Sequence, residues 1–171
     1  WTGKGSTVAI ADTGYDIDHS EFEGQIVATK DYTGTGMNDN HGHGTHVLGT
    51  VVAKKDGNNM HGVAFDSKAV VLKIGDSNYV EVLDAQKGFI WAANEHGAVV
   101  GNYSAGTWYD NTFTNSDNLV QLEDKTWKST DSRYNYADGT FYNMHGPNGD
   151  SLGTTYFNNW KNVTDTGIII V

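Results

Sequence analysis

The sequence has no cysteine and a single proline. Without cysteine there is no disulfide framework to read, and the compartment stays open on composition. No apolar run approaches the ~20 residues needed to cross a bilayer, so no membrane span is expected. The opening WTGKGSTVAI carries neither a basic segment nor the apolar core of a secretory signal. Positive charge is scarce too: 11 Lys+Arg stand against 21 Asp+Glu, for a formal net charge of -10. Phosphate backbones would be repelled, which argues against a nucleic-acid partner. Glycine, by contrast, is abundant at 21 residues, and implies many turns and close backbone approaches. With 171 residues, the length prior gives one domain, able to bury about 70% of its unfolded surface.

The first hundred residues read as α/β. TVAIA (7–11) is a buried-type strand running into the turn DTG. HGTHVLGTVVA (43–53) has Val47, Leu48, Val51 and Val52 at helical offsets. AVVLKI (69–74) is a second strand. Residues 79–97 carry Val80, Leu83, Phe89, Ile90 and Ala93 near helical spacing, with Gly97 as the stop. AVVGNYSAG (98–106) is a third strand, and GIIIV (167–171) a fourth. Strands alternating with helices imply a parallel sheet. Residues 107–166 differ: they are polar, short of aliphatics, yet rich in aromatics such as Trp108, Trp127 and Trp160. Disordered chains are poor in aromatics, so this stretch is expected to be an irregular insertion packed by its own rings, with a short helix at 116–128. Four β-branched residues in GIIIV would leave a sticky edge, so the sequence is expected to be a piece of something longer.

The chemistry concentrates in NHGHGTHVLG (40–49). His41, His43 and His46 have the spacing H-x-H-x-x-H, and neutral imidazoles are common zinc ligands. A similar hydrolase motif, H-x-H-x-D-H, has an acid before its last histidine, where this chain has Thr45. A metal-dependent hydrolase using the three histidines is therefore the weaker reading. The other reading joins His43, at a helix start, to Asp12, at the carboxyl end of a parallel strand, where ligands and reactive groups gather in open α/β sheets. Taken singly, Asp12 is a turn aspartate and His43 a loop histidine.

Four segments occur in a telling order. Asp12-Thr13-Gly14 fits D-[ST]-G. His43-Gly44-Thr45-His46-Val47-Leu48-Gly49 fits H-G-T-H-V-A-G except at Leu48. Gly62-Val63-Ala64-Phe65-Asp66-Ser67-Lys68-Ala69-Val70 resembles G-V-A-P-x-A-x-[LIV], Phe65 replacing the proline, and Asn102-Tyr103-Ser104-Ala105-Gly106 resembles N-x-S-[LWF]-G. In this order the segments resemble the subtilisin-like serine proteases, or subtilases, over residues 4 to about 106 and again over 167–171.

The resemblance implies a three-layer α/β fold with a mostly parallel sheet, incomplete at the C-terminus; the insertion at 107–166, which the resemblance does not cover, is expected to border the cleft and shape partner or substrate choice. The resemblance also implies a serine endopeptidase using an Asp-His-Ser triad. Asp12 would orient His43, and His43 would be general base and then general acid. Ser104, Ala105 and Gly106 would lie along an extended peptide substrate. It implies a protein or peptide substrate, secretion or display at the cell surface, and no cofactor for the chemistry. Structural calcium occurs in the family; Asp16, Asp18, Asp31 and Asp39 are acidic candidates, though none forms an EF-hand loop.

The family's serine motif, G-T-S-[MA]-[AS]-x-P, is absent from these residues, as is its oxyanion-hole asparagine, which follows a strand like GIIIV. GDSLG (149–153) resembles a nucleophile elbow, but MHGPN before it reads as a turn rather than a strand, so Ser151 is expected to be a loop serine. The chain alone is therefore expected to be nearly inactive, with the missing part of the same domain as its partner. The alternative is a non-catalytic fold that kept a peptide groove.

Overall fold

A computed structural model describes residues 1–58, 60–77, 80–105 and 160–171, together with the backbone of four short strands between them. The chain forms two compact units, Trp1–Ala105 with Lys161–Val171, and Gly106–Trp160. In the first unit, strands β1 (Thr7–Asp12), β2 (Ile26–Asp31), β3 (Lys68–Lys73), β4 (Val100–Asn102) and β9 (Ile169–Ile170) make one sheet in the order β2-β3-β1-β4-β9. Every pairing in it is parallel. Helices α1 (His43–Val52) and α2 (Val82–His96) connect β2 to β3 and β3 to β4.

Strand alternation sorts the core into two faces. Val8 and Ile10 of β1 are in register with Ala69 and Val71 of β3, and this face packs with Leu48 and Val52 of α1. The opposite face carries Ala9 and Ala11, in register with Val70 and Leu72. A methyl group on Gly88 of α2 would lie 2.8 Å from Leu72, and one on Gly101 of β4 2.9 Å from Phe89 of α2. Small residues on the sheet and on α2 thus let the second helix settle close. The result is three layers, helix on sheet on helix. Phe89, Leu48, Val71 and Leu72 are fully buried, each contributing roughly 1.5–3 kcal/mol relative to exposure.

α1 ends against the Gly62-Val63-Ala64 segment. The amides of Gly62, Val63 and Ala64 donate to the carbonyls of Ala53, Thr50 and Val51, satisfying groups that a helix C-terminus leaves open. A side chain on Gly62 would meet the Val51 carbonyl oxygen at 2.5 Å. Gln25, buried beneath, donates through Nε2 to Val52 and Phe65 carbonyls, 2.7 Å each.

Some boundaries depart from the sequence reading. α2 starts at Val82, not 79, because Val80 is held in an antiparallel bridge to Gly75 and Glu81 N donates to the Ile74 carbonyl. Its stop is as expected: Gly97 is left-handed, φ 63°, and its amide caps the helix. β2 is an edge strand that the apolar pattern did not reveal. Within Gly106–Trp160, β5 (Leu119–Gln121) pairs antiparallel with β6 (Trp127–Ser129), and β7 (Tyr134–Ala137) with β8 (Phe141–Met144). A hairpin therefore replaces the helix expected at 116–128, consistent with Val120 and Trp127, residue types that favour strands over helix. Otherwise the features expected within 107–159, including the loop serine Ser151, lie outside the described residues.

Candidate active site

Asp12 ends β1, and Ile10 of that strand is in register with Asn102 of β4. Asp12 and the Ser104 segment therefore leave the sheet at the same carboxyl edge. The chain turns sharply after Asp12: Gly14 has φ 134°, and a Cβ there would lie 2.5 Å from the Asn38 carbonyl oxygen. That close approach seats the loop before α1 directly over the turn.

His43 is the first residue of α1, and its Nδ1 lies 2.7 Å from Asp12 Oδ1. Asp12 is 3% exposed and the His43 side chain 42%. The carboxylate is sequestered while the imidazole reaches solvent. Asp12 Oδ1 also accepts from the Thr13 amide at 2.7 Å. With the carboxylate accepting at Nδ1, the imidazole carries its proton on that nitrogen and presents Nε2 as a base.

Asp39 ties the two segments together. Its Oδ1 accepts from the Thr13 hydroxyl at 2.9 Å and from the amides of Gly42 and His41 at 2.9 and 3.3 Å. Its Oδ2 accepts from the amide and hydroxyl of Thr45 at 2.8 and 2.6 Å. The Thr13 hydroxyl in turn accepts from the Gly44 amide at 3.1 Å. Gly42 has no side chain to cap α1, so Asp39 and Thr13 satisfy its first amides instead. Burial pushes the Asp39 carboxyl up, but hydrogen bonds from Thr45, Gly42 and Thr13 outweigh it and hold the group below the ordinary aspartate range. Nothing in the local sequence marks Asp39 out; its partner Thr13 is 26 residues away.

Ser104 is exposed, its hydroxyl donating to Asn102 Oδ1 at 2.8 Å, and Ala105 is half-buried. Gly106 lies outside the described residues. The His41 ring stands edge-on to the His43 ring, centroids 6.1 Å apart. Among the described residues no three histidine or acidic side chains come together to hold a metal ion, so the three-histidine site gains no support. Of the acidic candidates, Asp39 is engaged as above, and Asp31 accepts from the amide and hydroxyl of Thr33 and the amide of Gly36. No helix among the described residues is long and apolar enough to cross a membrane.

Fervidolysin of Fervidobacterium pennivorans is 39% identical over 124 residues, 63% of this chain and 17% of its own length. The crystal structure of fervidolysin, described as a keratinolytic enzyme related to subtilisin, superposes with a TM-score of 0.61 at 26% identity, covering 99% of this chain and 21% of that one. Alkaline protease 1 of Aspergillus clavatus is 34% identical over 122 residues, 67% of this chain and 28% of its own. The chain thus spans well under a third of these relatives. Proteins named as extracellular and as intracellular serine proteases, from Serratia marcescens and Paenibacillus polymyxa, are also similar. The family model for subtilases matches residues 3–152, and with the parallel sheet and the D-T-G and H-G-T-H segments in their places, the chain belongs to the subtilase family.

Proposed function

We propose that Asp12 and His43 are two members of an Asp-His-Ser triad that hydrolyses peptide bonds. The observation that carries this reading is the 2.7 Å contact between a buried carboxylate and a half-exposed imidazole at the carboxyl edge of a parallel sheet. In the reaction, His43 Nε2 takes the proton of a serine hydroxyl as it attacks the scissile carbonyl, then gives it to the leaving amine. Asp12 holds the tautomer and stabilises the imidazolium that forms between the two steps.

The serine and the oxyanion donors are contributed by sequence outside these 171 residues, a reading supported by the small share of each relative that the chain spans. The substrate is a protein or peptide, extended along Ser104, Ala105 and Gly106. Secretion or cell-surface display is supported by the relative named an extracellular serine protease, against one named intracellular. Alone, the chain has a base with nothing to activate and is nearly inactive. Residues 107–166 form an insertion in this domain and shape its specificity.

The test is intact mass combined with labelling by a fluorophosphonate probe, which reacts with activated serines. Label on a species containing or co-purifying with this chain, lost in His43→Ala, supports the triad. Label on Ser151 would place the nucleophile inside the chain. Complete domain that takes no label, yet binds extended peptides, would sink the peptidase reading in favour of a non-catalytic groove.

A further inference from the structure

Lys73 is fully buried at the end of β3. It is in register with Asp12 on the neighbouring strand, so both project toward the α1 face. A buried ammonium is costly unless it is paired and hydrogen-bonded. Here it forms an ion pair with Asp76 and donates to the main-chain oxygen of Asn38 at 2.7 Å. The carbonyl of Lys73 accepts from the Tyr32 amide at 2.9 Å. One residue therefore grips the loop between β2 and α1 at its first residue and again at Asn38.

The grip is shared. Asp76 Oδ2 accepts from the Thr35 hydroxyl at 2.7 Å, and the Tyr15 amide donates to the Met37 carbonyl at 2.7 Å. The hydrogen bonds from Lys73 and Thr35 keep the Asp76 carboxyl below its ordinary range, so it is ionised opposite the ammonium. The Asn38 carbonyl is also the group that a side chain on Gly14 would strike. It sits between the turn after Asp12 and the lysine, one residue before Asp39. Replacing a buried ion pair with an apolar side chain of similar volume is often neutral or stabilising. What an ammonium adds at this place is direction: a fixed donor that sets where Asn38, and hence Asp39, stands.

We propose that Lys73 is a positioning residue for the Asp12–His43 pair, acting through the Asn38 carbonyl and the Asp39 carboxylate. The proposal rests on the reading of that pair as catalytic, but its test does not need turnover.

In protein labelled with ¹⁵N-histidine, the proton on His43 Nδ1, held by Asp12, gives its own NMR signal and solvent-exchange rate. Lys73→Met should speed that exchange about tenfold, the effect of losing one hydrogen bond from a buried network, and should move the chemical shift of that proton. Lys73→Arg, which keeps a donor toward Asn38, should restore part of both. A Lys73→Met protein that melts earlier but leaves the His43 signals unchanged would overturn the proposal and leave the lysine a merely structural residue. If Lys73→Met does not fold, Asp76→Asn decides: it frees the ammonium from its counter-charge at a partly exposed position, and should shift the His43 signals the same way by less. No shift there overturns the proposal. Absence of a hydrogen-bonded Nδ1 proton in the unaltered protein would overturn the pair itself. Signals that respond as expected in a complete domain that takes no fluorophosphonate label would support the tether while sinking the peptidase reading.

Discussion

The main-chain oxygen of Gly14 occupies the space that a methyl group on Gly44 would need: the two would be 2.2 Å apart, with Asp12 Cβ at 3.0 Å. The first turn of α1 therefore rests on the turn after β1, with no side chain between them. Gly44→Ala should force the helix back, stretching the Gly44–Thr13 and His43–Asp12 hydrogen bonds together. The expected cost is about 3 kcal/mol, or roughly 6–12 °C in Tm. Gly49→Ala, one and a half turns along the same helix, is the control. Its added methyl would meet only ordinary contacts at 3.8–3.9 Å, and helix propensity favours it by up to about 1 kcal/mol. Equal melting of the two variants would show that the Gly14–Gly44 contact does not constrain the helix.

Asp39 predicts a pH dependence. Its carboxyl is held below the ordinary value in the folded chain, so the unfolded state binds the proton more readily. The stability it contributes is present above the unfolded aspartate value near pH 4 and is lost as pH falls through the lower folded value. At pH 7, Asp39→Asn should be less stable by about 2 kcal/mol, from a lost cap and charge-assisted hydrogen bonds. As pH falls through the folded value the gap should narrow, because protonation costs the unaltered protein the same interactions. Denaturant melts at pH 7 and pH 2.5 would measure it; a constant gap across that range would contradict the assignment.

The strands β1 and β3 were legible because they are buried on both faces and read as unbroken apolar runs. Gly97 was legible because a left-handed stop needs glycine. β2 was not: IVATKD at a sheet edge has only Ile26, Val27 and Ala28 as apolar residues, and Val27 is half exposed. In the site, Asp12 and His43 stood out through their motifs, which place each at the end of an element. Asp39 and Lys73 did not. In the sequence Asp39 is only one acidic calcium candidate among four; its work at the site is done for residues brought near by folding. Lys73 closes an apolar run and looks like the point where the strand meets solvent; only the Asp76 and Asn38 contacts reveal that it turns inward.

Asp12→Asn tests the triad directly. The amide keeps the shape of the carboxylate but can turn its NH₂ toward His43, favouring the tautomer with the proton on Nε2. The reading predicts a loss on the order of 10⁴ in kcat for the complete peptidase domain, and a comparable slowing of fluorophosphonate labelling. The fold should survive. Labelling at the unaltered rate in a folded Asp12→Asn protein would remove Asp12 from the mechanism.

Tyr15 makes the last prediction, at the alkaline end. It follows the D-T-G turn, is 1% exposed, and its hydroxyl donates to the Ile10 carbonyl at 2.6 Å, with the Leu72 carbonyl at 3.2 Å. One phenol thus ties β1 to β3 just beneath Asp12. Burial, reinforced by the negative charge of Asp12, pushes the phenol well above its ordinary value. A raised folded value means the stability is fully present below the unfolded value near pH 10 and is lost as pH climbs toward the folded one. Tyr15→Phe should cost about 1–2 kcal/mol at pH 7, since the strand carbonyls lose their donor. Between pH 10 and 12, however, the variant should lose stability less steeply than the unaltered protein, by about one proton in the pH slope. Parallel slopes in that range would mean that Tyr15 ionises as freely folded as unfolded, and that its hydroxyl does not bridge the two strands.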